Sequence, residues 1–156
     1  MNEGVTWTLL GLLAALLVAA AVCDLRKREI PHTIVIAAAL LAVPFWLASG
    51  LDWWPEVAMQ VGVAALIFAI FAGMFVMGWM GGGDVKLLTA LALWLPWQAV
   101  IMLLVIMSLA GAAVTFVTLI WSRMRDPSAT PEIPYGVAIA FAGLWLISER
   151  FLNQFG

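Results

Sequence analysis

The sequence predicts an all-α protein, a polytopic integral membrane bundle of six transmembrane helices, and three observations carry that expectation. Apolar residues make up 65% of the 156-residue chain and charged residues only 10%, against about half and a quarter in soluble domains. A mean hydropathy of +1.10 leaves room for little besides spans and short connections. Apolar stretches recur at 5–23, 32–48, 57–79, 85–95, 99–121 and 133–151, each bounded by charge, proline or glycine. Most approach the ~20 residues needed to cross hydrocarbon. No internal repeat interrupts them, so residues 1–156 read as a single integral membrane domain.

The first stretch is read as a retained helix rather than a secretory signal. Met1-Asn2-Glu3 has no basic character, and the apolar run that follows is longer than a signal's core. Along it Gly11, Ala15, Ala19 and Cys23 recur every four residues, a small-residue face suited to close helix packing. The second stretch starts after Pro31, a residue that favours the first turn of a helix, with His32 as a candidate cap. The fourth is anomalous: 85–95 is eleven residues, roughly 16 Å of helix at ~1.5 Å per residue. Either this helix continues past Pro96, or it starts below the membrane surface behind an inward-dipping loop of Gly81, Gly82 and Gly83. Such a loop is tolerated where backbone is buried in protein or lines a wet cavity. Trp7, Trp53, Trp54, Trp79, Trp97 and Trp121 fall near span ends, where indole rings anchor at the headgroups.

Sidedness follows from the basic residues. Arg26, Lys27, Arg28, Lys86, Arg123 and Arg125 fall in the first, third and fifth connections, and Arg150 on the opposite side. The positive-inside rule then puts those connections in the cytoplasm and both termini outside. The lipid bilayer is the expected partner. A net charge of −2, thinly spread, implies no nucleic acid and no anionic surface. One cysteine and one histidine exclude an internal disulfide and a cysteine-rich zinc site, so neither a metal site nor another cofactor is expected.

Two aspartates stand out in so apolar a chain. Ionisable side chains within membrane segments are costly and functional by default. Asp84 follows three glycines, which allow positive φ and close approach of another backbone, and is expected to cap the fourth helix, where free N–H groups favour a carboxylate. Asp24 ends the first helix, where the dipole disfavours an anion, with Arg26, Lys27 and Arg28 in partial compensation. Both lie on one side. A pair of carboxylates meeting across a water shares a proton, one activating the water and the other protonating the carbonyl or the leaving amine. Each residue's own helix dipole favours Asp84 as base and Asp24 as acid.

Asp24 followed by Glu29-Ile30-Pro31, then Gly81-Gly82-Gly83-Asp84-Val85-Lys86-Leu87, then Pro134-Tyr135-Gly136 resembles the type IV prepilin peptidase family of Gly-x-Gly-Asp membrane aspartyl proteases. The likeness covers nearly the whole chain. It implies that Asp24 and Asp84 are the catalytic pair. It also implies a prepilin or pseudopilin substrate with a basic leader and an apolar helix, cut after a glycine at the cytoplasmic face of a bacterial inner membrane. Family members commonly carry Asn where this chain has His32. No cytoplasmic domain with paired cysteine motifs is visible, so the chain resembles the short, peptidase-only members without an N-methyltransferase domain that serve Flp pili in tight-adherence (Tad) systems.

The other candidate site residues have two readings each. Lys86, two residues from Asp84, contacts substrate or anchors the topology. Tyr135, between Pro134 and Gly136, shapes the cleft or marks a helix start. Glu29 meets a basic leader or balances Arg28. The competing class is a small proton-coupled transporter or channel subunit, which also uses membrane aspartates and broken helices. Against it, no inverted repeat is evident and both aspartates cluster toward one face.

Overall fold

A computed structural model describes residues 2–125 and 133–155, with side chains described to 124 and from 133 to 150. The side chain of Arg125, counted above among the basic connections, lies outside the described residues. The described residues form six α-helices: α1 (Glu3–Lys27), α2 (His32–Ser49), α3 (Ala58–Val76), α4 (Gly82–Ala92), α5 (Trp97–Arg125) and α6 (Tyr135–Phe155). A turn at Trp53–Val57 leads into α3. Four stretches are long and apolar enough to cross a membrane: α1, α2, Trp53–Val76 and Trp97–Met124. The chain is an all-α membrane bundle, as the hydropathy pattern requires.

α4 differs from its expected bounds, and the difference answers the question its length raised. It stops at Ala92, and α5 starts afresh at Trp97 beyond Pro96, so no continuous helix runs through the proline. At the other end it begins at Gly82, three residues earlier than the apolar run. Seven of its eleven residues are buried, which makes it the central element. α1, α2, α4 and α6 close into a ring, each packed on the next, with α3 outside α4 and α5 outside α6. α3 and α5 barely meet.

The face α1 turns inward is not the expected small-residue one. Thr6, Leu10, Leu13, Leu17, Ala20 and Asp24 form its buried stripe, at steps of three and four, with Leu9 buried beside it. Gly11 and Ala15 point outward, and a Cβ on Gly11 would meet nothing within 4 Å. Close approach is supplied by the partner helix instead: a Cβ on Gly143 of α6 would lie 2.9 Å from Leu17 Cδ1. A large residue on one helix thus fills the notch left by a small one on the other.

α2 and α4 are joined by two tryptophans set in the bundle. The Trp46 indole donates to the Leu93 carbonyl at 2.8 Å, and the Trp94 indole to the Ala38 carbonyl at 2.9 Å. Trp94 also packs on Phe45 with ring centroids 4.8 Å apart. Trp53, Trp54, Trp79, Trp97 and Trp121 are exposed near helix ends, where interfacial anchoring requires them.

Candidate active site

Among the described residues the buried polar side chains are Thr6, Gln60 and the two aspartates, with Asp24 5% and Asp84 8% exposed. Both carboxyls open onto one cavity of about 530 Å³, whose walls include Arg28, Glu29, His32 and Gly81, Gly82 and Gly83. The first and third connections therefore meet at one end of the bundle. The start of α6 joins them there, since a Cβ on Gly136 would lie 2.8 Å from Asp24 Oδ2.

Asp24 is aimed inward because it continues the buried stripe of α1 one turn beyond Ala20. Its own helix ends against it, but α6 does the opposite. The Val137 N–H donates to Asp24 Oδ2 at 3.2 Å, and the Gly136 N–H also bonds the carboxylate. The N-terminus of α6 thus supplies the donors and positive dipole end that α1 denies it. This contact joins residues 113 apart in sequence, and no local pattern announces it.

Asp84 is the third residue of α4, not its cap. Gly81 takes the cap position in an extended conformation (φ −70°, ψ 142°), and its N–H bonds the Asp84 carboxylate. The side chain of a third-position carboxylate folds back in this way in a capping box. α4 lies outside the membrane-crossing stretches. Burial first, and the charge of Asp24 second, push the Asp84 carboxyl up to about 7.

The glycines work through space, not through positive φ. Among the described glycines only Gly50 and Gly78 have positive φ, so that part of the sequence expectation is corrected. A Cβ on Gly81 would stand 2.9 Å from Asp84 Oδ2, one on Gly82 3.2 Å from the Phe75 ring, and one on Gly83 3.2 Å from Ile30 Cβ. Ile30 entered the sequence reading only as part of Glu29-Ile30-Pro31, with no role of its own. It is buried, and its Cδ1 would also be 2.8 Å from a Cβ on Gly136, so it wedges between the starts of α4 and α6. Its place depends on Arg28, which caps α1 in the left-handed region (φ 56°), at a cost of about 1 kcal/mol or more.

The remaining candidates divide. Glu29 borders the cavity. Pro134 is buried and Gly136 packs on Asp24. Tyr135 faces a second, apolar cavity of about 730 Å³ between α3 and α5, shared with Met74, Met80 and Met107. Lys86 is exposed and not part of the aspartate cavity's wall. His32 is the first residue of α2, with Pro31 at the cap position and no side-chain capping bond, so the capping role expected of it is corrected. It borders the aspartate cavity instead.

A family model described as the type IV leader peptidase family matches residues 11–116. The prepilin leader peptidase/N-methyltransferase of Dickeya chrysanthemi is 33% identical over 145 residues, covering 86% of this chain and 50% of that protein. The protein of the same description from Pectobacterium carotovorum subsp. carotovorum is 29% identical over 143 residues, with 89% and 50% covered. That of Burkholderia pseudomallei strain K96243 is 31% identical over 157 residues, with 90% and 48% covered. The chain spans about half the length of the curated relatives it matches. No solved structure matches it.

Proposed function

Because the chain belongs to the type IV leader peptidase family, we propose that it is a membrane aspartyl endopeptidase that removes the leader of prepilins or pseudopilins. The observation that carries this reading is the pair of buried aspartates on one cavity. Asp24, ionised and held by the α6 N–H groups, takes a proton from the attacking water. Asp84, which keeps its proton to near neutral pH, gives it to the carbonyl oxygen. Asp24 then passes the proton it took from water to the leaving amine, and Asp84 recovers its own from a hydroxyl of the gem-diol as the C–N bond breaks. This reverses the assignment drawn from each residue's own helix, since the decisive donors on Asp24 come from α6.

The substrate reading is a Flp-type prepilin of a tight-adherence system, cut after a glycine. Glycine backbone at 81, 82 and 83 leaves the cavity wall free of side chains, so an extended peptide can approach it closely. The apolar cavity adjoins the aspartate site along the chain, its Met80 preceding Gly81 and its Tyr135 preceding Gly136, which packs on Asp24. It suits the apolar helix that follows such a leader, and its methionines adapt to varied side chains. Lys27 and Arg28 border the aspartate end and Arg150 the other, which supports an active site on the cytoplasmic side of the inner membrane and both termini outside.

Co-expression with a Flp-type prepilin tests this reading: the pilin is expected to gain mobility as its leader is lost, and unchanged mobility across several such prepilins would refute it. The pH profile is a second check. The working pair holds one proton, so cleavage should fall as pH rises through about 7, where Asp84 loses its proton. A rate still rising at pH 9 would contradict the role given to Asp84. Gly83→Val should lower cleavage by roughly tenfold, because its added carbons push on Ile30 and shift the wall of the site. An unchanged rate in that variant would mean that the packing of Gly83 on Ile30 does not set the wall of the site.

A further inference from the structure

Toward the end of the bundle away from the aspartates, the ends of α2 and α4 and the 149–150 turn of α6 border a cavity of about 380 Å³. Phe45, Trp94 and Leu146 line it, yet four polar side chains also converge there: Ser49, Gln60, Glu149 and Arg150. Gln60 is 7% exposed, and its Oε1 and the Ser49 Oγ are buried without a hydrogen-bond partner in the protein. An unpaired buried acceptor costs about 1–3 kcal/mol, so these two oxygens favour a ligand that donates. Arg150 and Glu149 are exposed at the mouth, the guanidinium 5.5 Å from the centroid of the Phe45 ring, a distance at which the ring face attracts it. A second recess of about 310 Å³, bordered by Trp97, shares Gln60, Leu51 and Pro96 with this cavity.

We propose that this cavity binds the aminoethyl phosphodiester headgroup of a phospholipid. The primary ammonium has three N–H donors, which suit Gln60 Oε1 and Ser49 Oγ, with the Glu149 carboxylate as its counter-charge. The phosphate pairs with the forked donors of Arg150. One anionic and one cationic side chain at a single mouth match a zwitterion and disfavour a ligand of either single sign. The position fits as well, because this end carries the exposed Trp53, Trp54 and Trp97 that belong at headgroup depth. A choline headgroup has the same net charge but no N–H to donate, so the orphan oxygens disfavour it; a glycerol headgroup has hydroxyl donors but no cation, so Glu149 disfavours it.

The test is native mass spectrometry of the full chain released from nanodiscs that contain phosphatidylethanolamine, phosphatidylcholine and phosphatidylglycerol in equal amounts. Retention of phosphatidylethanolamine over phosphatidylcholine should be roughly tenfold, the ratio that one hydrogen bond to a charged group supports. Gln60→Met should abolish that preference, and Arg150→Gln should weaken retention of both phosphatidylethanolamine and phosphatidylglycerol. If Gln60→Met does not fold, Ser49→Ala carries the same test with a partial loss. Displacement by soluble glycerophosphoethanolamine would assign the binding to the headgroup alone; persistence of the preference without displacement would assign it to the whole lipid. Equal retention of the three lipids by the unaltered protein, or a preference that survives both Gln60→Met and Ser49→Ala, overturns the proposal.

Discussion

Asp24→Asn and Asp84→Asn are each expected to lower prepilin cleavage by roughly 10²–10⁴-fold, the contribution of a positioned acid or base. Asparagine keeps the size and most of the hydrogen bonding of either side chain. At 24 its amide oxygen still accepts from the Val137 N–H, and at 84 it still reaches back to Gly81. What it lacks is the proton exchange. Neither variant should disturb insertion, because neither adds a charge to a buried position and both leave the helix contacts of α1 and α4 in place. Near-normal cleavage by either one, at equal protein level in the membrane, would end the two-aspartate mechanism.

Gly136→Ala is the second large effect. The new methyl group would stand 2.8 Å from both Asp24 Oδ2 and Ile30 Cδ1, and 3.0 Å from Asp24 Cγ. Ile30 can turn its end away, but the carboxylate is tied to the same stretch of α6 through Val137. Relief therefore moves Asp24 relative to Asp84. A shift of about 1 Å at a reacting group can cost 10²-fold in rate, and a loss on the order of 10²-fold is expected here. Gly11→Ala on α1, where a Cβ meets nothing within 4 Å, is the matched control and should cleave normally. Equal rates for the two variants would show that α6 does not set the position of Asp24.

How much of this was legible depended on whether the cause was local. Helix boundaries were, because Arg28 and Pro31, Pro96, and Pro134 punctuate the apolar runs. The start of α4 was misjudged because a glycine triplet reads as loop, whereas Gly82 and Gly83 enter the helix to bring its backbone against Phe75 and Ile30. The inward face of α1 was misjudged for a different reason. In an apolar helix the surface that packs is set by the partner, here Gly136 and Gly143 of α6. The positions of Thr6 and Asp24, polar residues on one stripe about five turns apart, were the available signal. The two aspartates stood out from composition alone. Their unequal environments were expected in the opposite sense, since the donors to Asp24 lie on α6 and the burial of Asp84 comes from the ring of helices around α4.

The most direct measurement is proteolysis by the purified full chain in liposomes with one Flp-type prepilin, run in ¹⁸O-labelled water and read by intact mass. The two-aspartate mechanism predicts a released leader whose new C-terminal carboxyl carries one ¹⁸O, and no product from the Asp24→Asn, Asp84→Asn double variant. Leader release by the double variant at the rate of the unaltered protein would contradict it.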